Sequence, residues 1–79
     1  MQVTGLPTSI SAGATVCITI QGATGTPQAV GSGSVKLLSL TQSTSEPATW
    51  IACIRVGAGA GALLLEDSKT TKSVVVAGK

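Results

Sequence analysis

Apolar side chains recur at every second position in several short stretches of this chain, and that spacing suits β-strands rather than helices. Over Ala14–Gln21, Val16, Ile18 and Ile20 point one way, and Thr15, Cys17, Thr19 and Gln21 the other. In residues 34–41, Val35, Leu37 and Ser39 share a face, while Lys36, Leu38 and Leu40 share the opposite one. In residues 48–56, Trp50, Ala52, Ile54 and Val56 line one face, against Ile51, Cys53 and Arg55. Residues 62–66 and 72–77 read as a hairpin closed around residues 67–71. The breaks between these stretches are rich in Gly, Pro, Ser and Thr, the residues of turns. No stretch keeps helical spacing for more than a turn or so. The chain is therefore predicted to be all-β and a single domain over residues 1–79, either a sandwich of about six to seven short antiparallel strands or a small β-barrel.

The side-chain inventory bears on chemistry. His, Phe, Tyr and Asn are absent, and the acids are Glu46, Glu66 and Asp67. General acid–base work near neutral pH usually needs a histidine or a paired, shifted carboxylate. Glu66 and Asp67 are adjacent, so on a strand they point to opposite faces, and they read as a solvated strand end before a turn. The Ser and Thr hydroxyls have no base at an informative spacing. The run Gly57-Ala58-Gly59-Ala60-Gly61-Ala62 superficially matches a dinucleotide fingerprint. That chemistry needs a following helix and an acid about 20 residues on, and no acid lies beyond Asp67. A flexible or bulged connection is the expected role of the run. No catalytic residue, cofactor or metal is predicted, and the chain is expected not to be an enzyme.

Charged residues make up 10% of the chain, against about 25% in an average soluble domain. So few charges predict that part of the surface is hidden, by self-association or by docking on a larger assembly. The alternative is a neutral Ser/Thr surface on a monomer. Lys36, Arg55, Lys69, Lys72 and Lys79 are scattered and not interleaved with aromatics, so neither nucleic acid nor a membrane is the expected partner. The longest apolar runs, such as Leu63-Leu64-Leu65, fall far short of the roughly 18 residues of a membrane helix. The first residues have neither the basic start nor the apolar stretch of a signal peptide. Synthesis and use on the cytoplasmic side is the expectation, unless the chain is a domain of a longer secreted protein.

Cys17 and Cys53 both fall opposite the aliphatic faces of their strands, which places them on an outer surface, on what could be adjacent strands. In a cytoplasmic setting they are expected to be free thiols filling a subunit contact, with a disulfide as the alternative. Two cysteines without histidine are too few for a metal. Trp50, the only aromatic, is expected to plug the core or else to anchor an interface. Leu38, Leu40, Trp50, Ile51 and Cys53 are the candidate partner-facing residues.

The opening segment Val3-Thr4-Gly5-Leu6-Pro7-Thr8-Ser9-Ile10-Ser11-Ala12-Gly13, followed by the alternating residues 15–20, resembles the start of bacterial and phage immunoglobulin-like domains. Residues 22–29 are similar to the Gly-x-Pro turn that follows there, and residues 62–79 to the closing hairpin. The resemblance covers most of the chain, and its motifs are compositional. It implies a compact immunoglobulin-like β-sandwich, though the chain is shorter than the ~100 residues usual for such domains and lacks their core Trp on the middle strand. Small bacteriophage decoration proteins resemble a chain of this kind. The expected function is that of a structural protein of a virion, decorating or cementing the capsid or a tail component. Its partners would be a major capsid or other virion protein and further copies of itself. The alternative is an adhesion or carbohydrate-binding module of a larger surface protein.

Overall fold

In the computed structural model, residues 1–7 and 9–79 are described; Thr8, part of the opening segment, lies outside them. The strands are β1 (Gln2–Thr4), β2 (Ala14–Gln21), β3 (Gln28–Gln42), β4 (Trp50–Glu66) and β5 (Thr71–Gly78). β1 pairs with β2, and β4 pairs with β2, β3 and β5, all antiparallel. The all-β expectation holds, with five strands among the described residues where six to seven were expected. The difference arises because residues 50–56 and 62–66, read as parts of two strands, belong to one strand, β4.

Straight, a strand of 17 residues would run about 56 Å at ~3.3 Å per residue. The molecule's longest extent is 33 Å, so β4 and its partner β3 must bend. The bend lies where side chains are smallest. Gly33 pairs with Gly61 and Val35 with Val56, so Ser34 of β3 faces residues 57–60 of β4, the Gly-Ala run. This is a large bulge, and bulges bend strands and increase their twist. Gly33 (φ 61°) and Gly59 (φ 97°) sit here in the left-handed region, which glycine enters without a side-chain clash. The Ser34 hydroxyl donates to the Gly59 carbonyl at 2.9 Å and ties the two sides of the corner.

The bend divides the sheet into two layers. The first contains β1, β2, residues 50–56 of β4 and residues 35–42 of β3; the second contains residues 28–33 of β3, residues 59–66 of β4, and β5. Ile18, Ile20, Val35, Ala52, Ile54 and Val56 from the first layer join Leu63, Leu65 and Val76 from the second in one buried cluster. The bulge also shifts the phase of β4, so that buried positions are even-numbered before it and odd-numbered after it. Ile10 joins the same cluster from the segment before β2. Lys79 N donates to Ile10 O (2.8 Å) and Ala12 N to Lys79 O (2.9 Å), which fastens the end of the chain beside that segment. The folded surface of 4436 Å² is close to the roughly 4300 Å² expected of a compact 7.7-kDa monomer.

Candidate interaction surface

Register determines what the outside of the first layer presents. Directly opposed residues of antiparallel neighbours share a face. One outer row is Thr15, Arg55 and Lys36; the next is Cys17, Cys53 and Ser39; a third is Thr19, Ile51 and Thr41. Cys17 and Cys53 are joined in a disulfide, with S–S 2.05 Å and Cα–Cα 4.0 Å. This corrects the expectation of free thiols. The placement on an outer face was right, but the strand order and register set the two residues directly opposite each other. Their close backbone approach is of the order found at non-hydrogen-bonded antiparallel pairs, about 4.5 Å.

A second correction concerns Leu40. Leu37 pairs with Ile54 and Ser39 with Cys53, so Leu38 is an extra residue without an opposite number. The alternation resets at that bulge. Leu38 is thrown outward (51% exposed), and Leu40 turns inward to pack against the core. Ile51 lies on the outer face (40% exposed), with Cys53 in the neighbouring row. Trp50 is half-buried against the core, and its buried Nε1 has no hydrogen-bond partner among the described residues. It also lines a pocket of about 400 Å³ with Ala23, Gly25, Thr26, Gln42 and Pro47. Of the five candidate residues, then, Leu38, Ile51 and Cys53 share the outer face, whereas Leu40 and Trp50 lie on the core side.

The second layer carries apolar surface that the sequence reading did not single out. Val30 and Leu64 are opposed across β3 and β4, and Ala62 and Val75 across β4 and β5. Val30 (58% exposed), Leu64 (41%) and Val75 (75%) stand on that outer face. The available signal was the pair of triplets Leu63-Leu64-Leu65 and Val74-Val75-Val76, since three consecutive aliphatic residues place apolar side chains on both faces of a strand.

Neither acid of the 66–67 pair faces this surface in a shared site. Glu66 is opposite Gln28 and Thr71, at the end of the row. Asp67 organises the turn between β4 and β5. Its Oδ1 accepts from Lys69 N (2.9 Å), Thr70 N (2.6 Å) and the Thr70 hydroxyl (3.0 Å). Its Oδ2 accepts from Thr24 N (3.1 Å), across the gap to the loop after β2. These amide donors, Lys69 first, hold the carboxyl well below the usual carboxylate range. A depressed folded pKa gives stability that is present above the ordinary value and lost as pH falls through it toward the folded one. Urea midpoints should therefore be steady above about pH 5 and fall between about pH 4 and 2. Asp67→Asn should lower the midpoint at neutral pH and flatten that acid limb. An acid limb identical in the variant would show that the turn does not carry it.

Compared with protein-family models, with curated proteins and with solved structures, the chain matches none of them.

Proposed function

We propose that this chain is a non-enzymatic structural module that works by burying its outer sheet faces against neighbours, as a decorating or cementing protein of a bacteriophage capsid or tail. The observation that carries this reading is the set of large apolar side chains on both outer faces: Leu38 and Ile51 on one layer, Val30, Leu64 and Val75 on the other. Aliphatic surface on a chain with so few charges favours association over solvation. The neighbours would be a virion protein and further copies of the chain. The disulfide suits such a part, because disulfides persist on the surfaces of virions and cells once these leave the reducing cytoplasm. On this reading the bent five-stranded sheet is a reduced form of the immunoglobulin-like sandwich.

Light scattering over a dilution series tests the proposal. The native protein is expected to form an oligomer that dissociates on dilution. Leu64→Glu with Val75→Glu should give a folded monomer at every concentration, since both side chains already face solvent in the single chain. A native protein that is monomeric throughout the series would count against self-association. A double variant that assembles as the native protein does would remove the second-layer face from the interface.

A further inference from the structure

We propose that the hairpin corner between β3 and β4 holds a binding site for a tetrahedral oxyanion of the phosphate or sulfate type, with Arg55 and Lys36 as its cationic arms. The two residues are directly opposed in the ladder and lie on the same exposed face. Opposed side chains on neighbouring strands have Cβ atoms about 4.5–5.5 Å apart, and like charges so placed are destabilising. The chain has five basic residues, yet two of them meet here.

The acids are engaged elsewhere. Glu46 accepts from the Thr49 hydroxyl in the β3–β4 loop, Asp67 is occupied by its own turn, and Glu66 lies opposite Gln28 and Thr71. The third residue of the row, Thr15, contributes a hydroxyl and no charge. An anion between the two cations turns a repulsive pair into two charge-assisted contacts, and the arginine fork suits two oxygens of one oxyanion.

The surroundings fit the same ligand. Arg55 and Lys36 line a pocket of about 410 Å³ with Gly31, Gly33, Ser34 and Gly57, and Val35 and Leu37 complete its wall. Gly57 is the glycine of this lining with ordinary clearance, an added Cβ there meeting Ser34 O at 3.5 Å. Ser34 and Gly57 both fall within the bulge, where the β3–β4 register is interrupted. The pocket also has room beyond the anion itself, which suits a phosphate or sulfate ester. The Arg55–Lys36 row shares the outer face of the first layer with Ile51, two rows away, but neither cation is one of the apolar residues of the proposed assembly, and anion binding is read separately from association.

The experiment is an amide chemical-shift titration of the native protein with inorganic phosphate and, separately, inorganic sulfate, each against sodium chloride at matched ionic strength. The expected result is saturable shifts at Gly31, Gly33, Ser34 and Gly57 with either oxyanion and not with chloride. A response to phosphate alone would support the site and assign it to phosphate esters; a response to sulfate alone would assign it to sulfate esters. Arg55→Gln with Lys36→Gln should weaken binding by at least about tenfold, the loss expected when charge-assisted hydrogen bonds are removed. Lys69→Gln with Lys72→Gln should leave it unchanged. Both substituted pairs are exposed, and an unaltered spectrum at the core positions confirms folding. Shifts that match those of chloride, or a response that survives the loss of Arg55 and Lys36, would overturn the proposal.

Discussion

Replacing Cys17 and Cys53 with alanine is expected to cost about 3–4 kcal/mol of stability, the chain-entropy value for a loop of this length. The residues are 36 apart, and the closed loop contains the whole of β3. In a domain of this size each kcal/mol moves the melting midpoint by roughly 4–8 °C, so the midpoint should drop by about 15–25 °C. That is a large share of the total, since a chain of 79 residues typically has about 4–12 kcal/mol to lose. The loss should begin at one edge of the sheet. β1 pairs with β2, and β2 is held to the rest of the sheet through β4, the strand to which the disulfide ties it. Amide hydrogen exchange in the alanine variant should therefore quicken in β1 and β2 before the second half of β4. Alkylation gives an independent check: the native protein should take up no label until it is reduced. Prompt labelling without reductant, or a variant with the native melting midpoint, would contradict the account.

What could be read from the sequence follows the distinction between local pattern and tertiary pairing. Residues 14–21 alternate without interruption, and the observed β2 has those bounds. Val16, Ile18 and Ile20 do face inward, toward the core. β3 was legible only in its second half, residues 34–41, because Gly31, Ser32 and Gly33 interrupt the apolar alternation on the approach to a corner. Likewise the Gly-Ala run read as a connection, since glycine weakens a regular strand; at a sharp bend the absence of side chains is what the strand needs. The outward position of Leu40 was lost to one extra residue at Leu38, and no residue type announces a bulge of that kind. For the cysteines the face was legible and the bond was not. Whether two outer-face thiols meet depends on which strands are neighbours and in what register, and the β2–β4 pairing is a property of the whole sheet. The tie between Asp67 and Thr24 joins residues 43 apart and is equally non-local.

The corner makes the other large prediction, a graded response among four glycines of one short region. At Gly61 an added methyl group would lie 2.7 Å from Ser32 O and 2.8 Å from Ser34 N, both backbone atoms. At Gly33 it would lie 2.8 Å from Ala60 O, and the backbone there is left-handed as well. Neither position can yield by rotating a side chain, so Gly61→Ala and Gly33→Ala are each expected to cost about 2–4 kcal/mol, from overpacking and, at Gly33, backbone strain. Gly59 has a left-handed backbone and open space around it. Gly59→Ala should therefore carry only the conformational cost, about 1–2 kcal/mol. At Gly57 the methyl group would meet Ser34 O at 3.5 Å, an ordinary contact, and φ is not left-handed. Gly57→Ala should be near neutral, or stabilising by up to about 1 kcal/mol through a less flexible unfolded chain. Urea denaturation of the four variants reads the order directly. A flexible linker between separate strands would tolerate all four alike, and equal midpoints would rule out the corner as the element that folds the two layers together. The predicted order instead follows from close packing of backbone against backbone. Gly33 and Gly61 are partners in the ladder, and the bulge that turns β4 begins beside them.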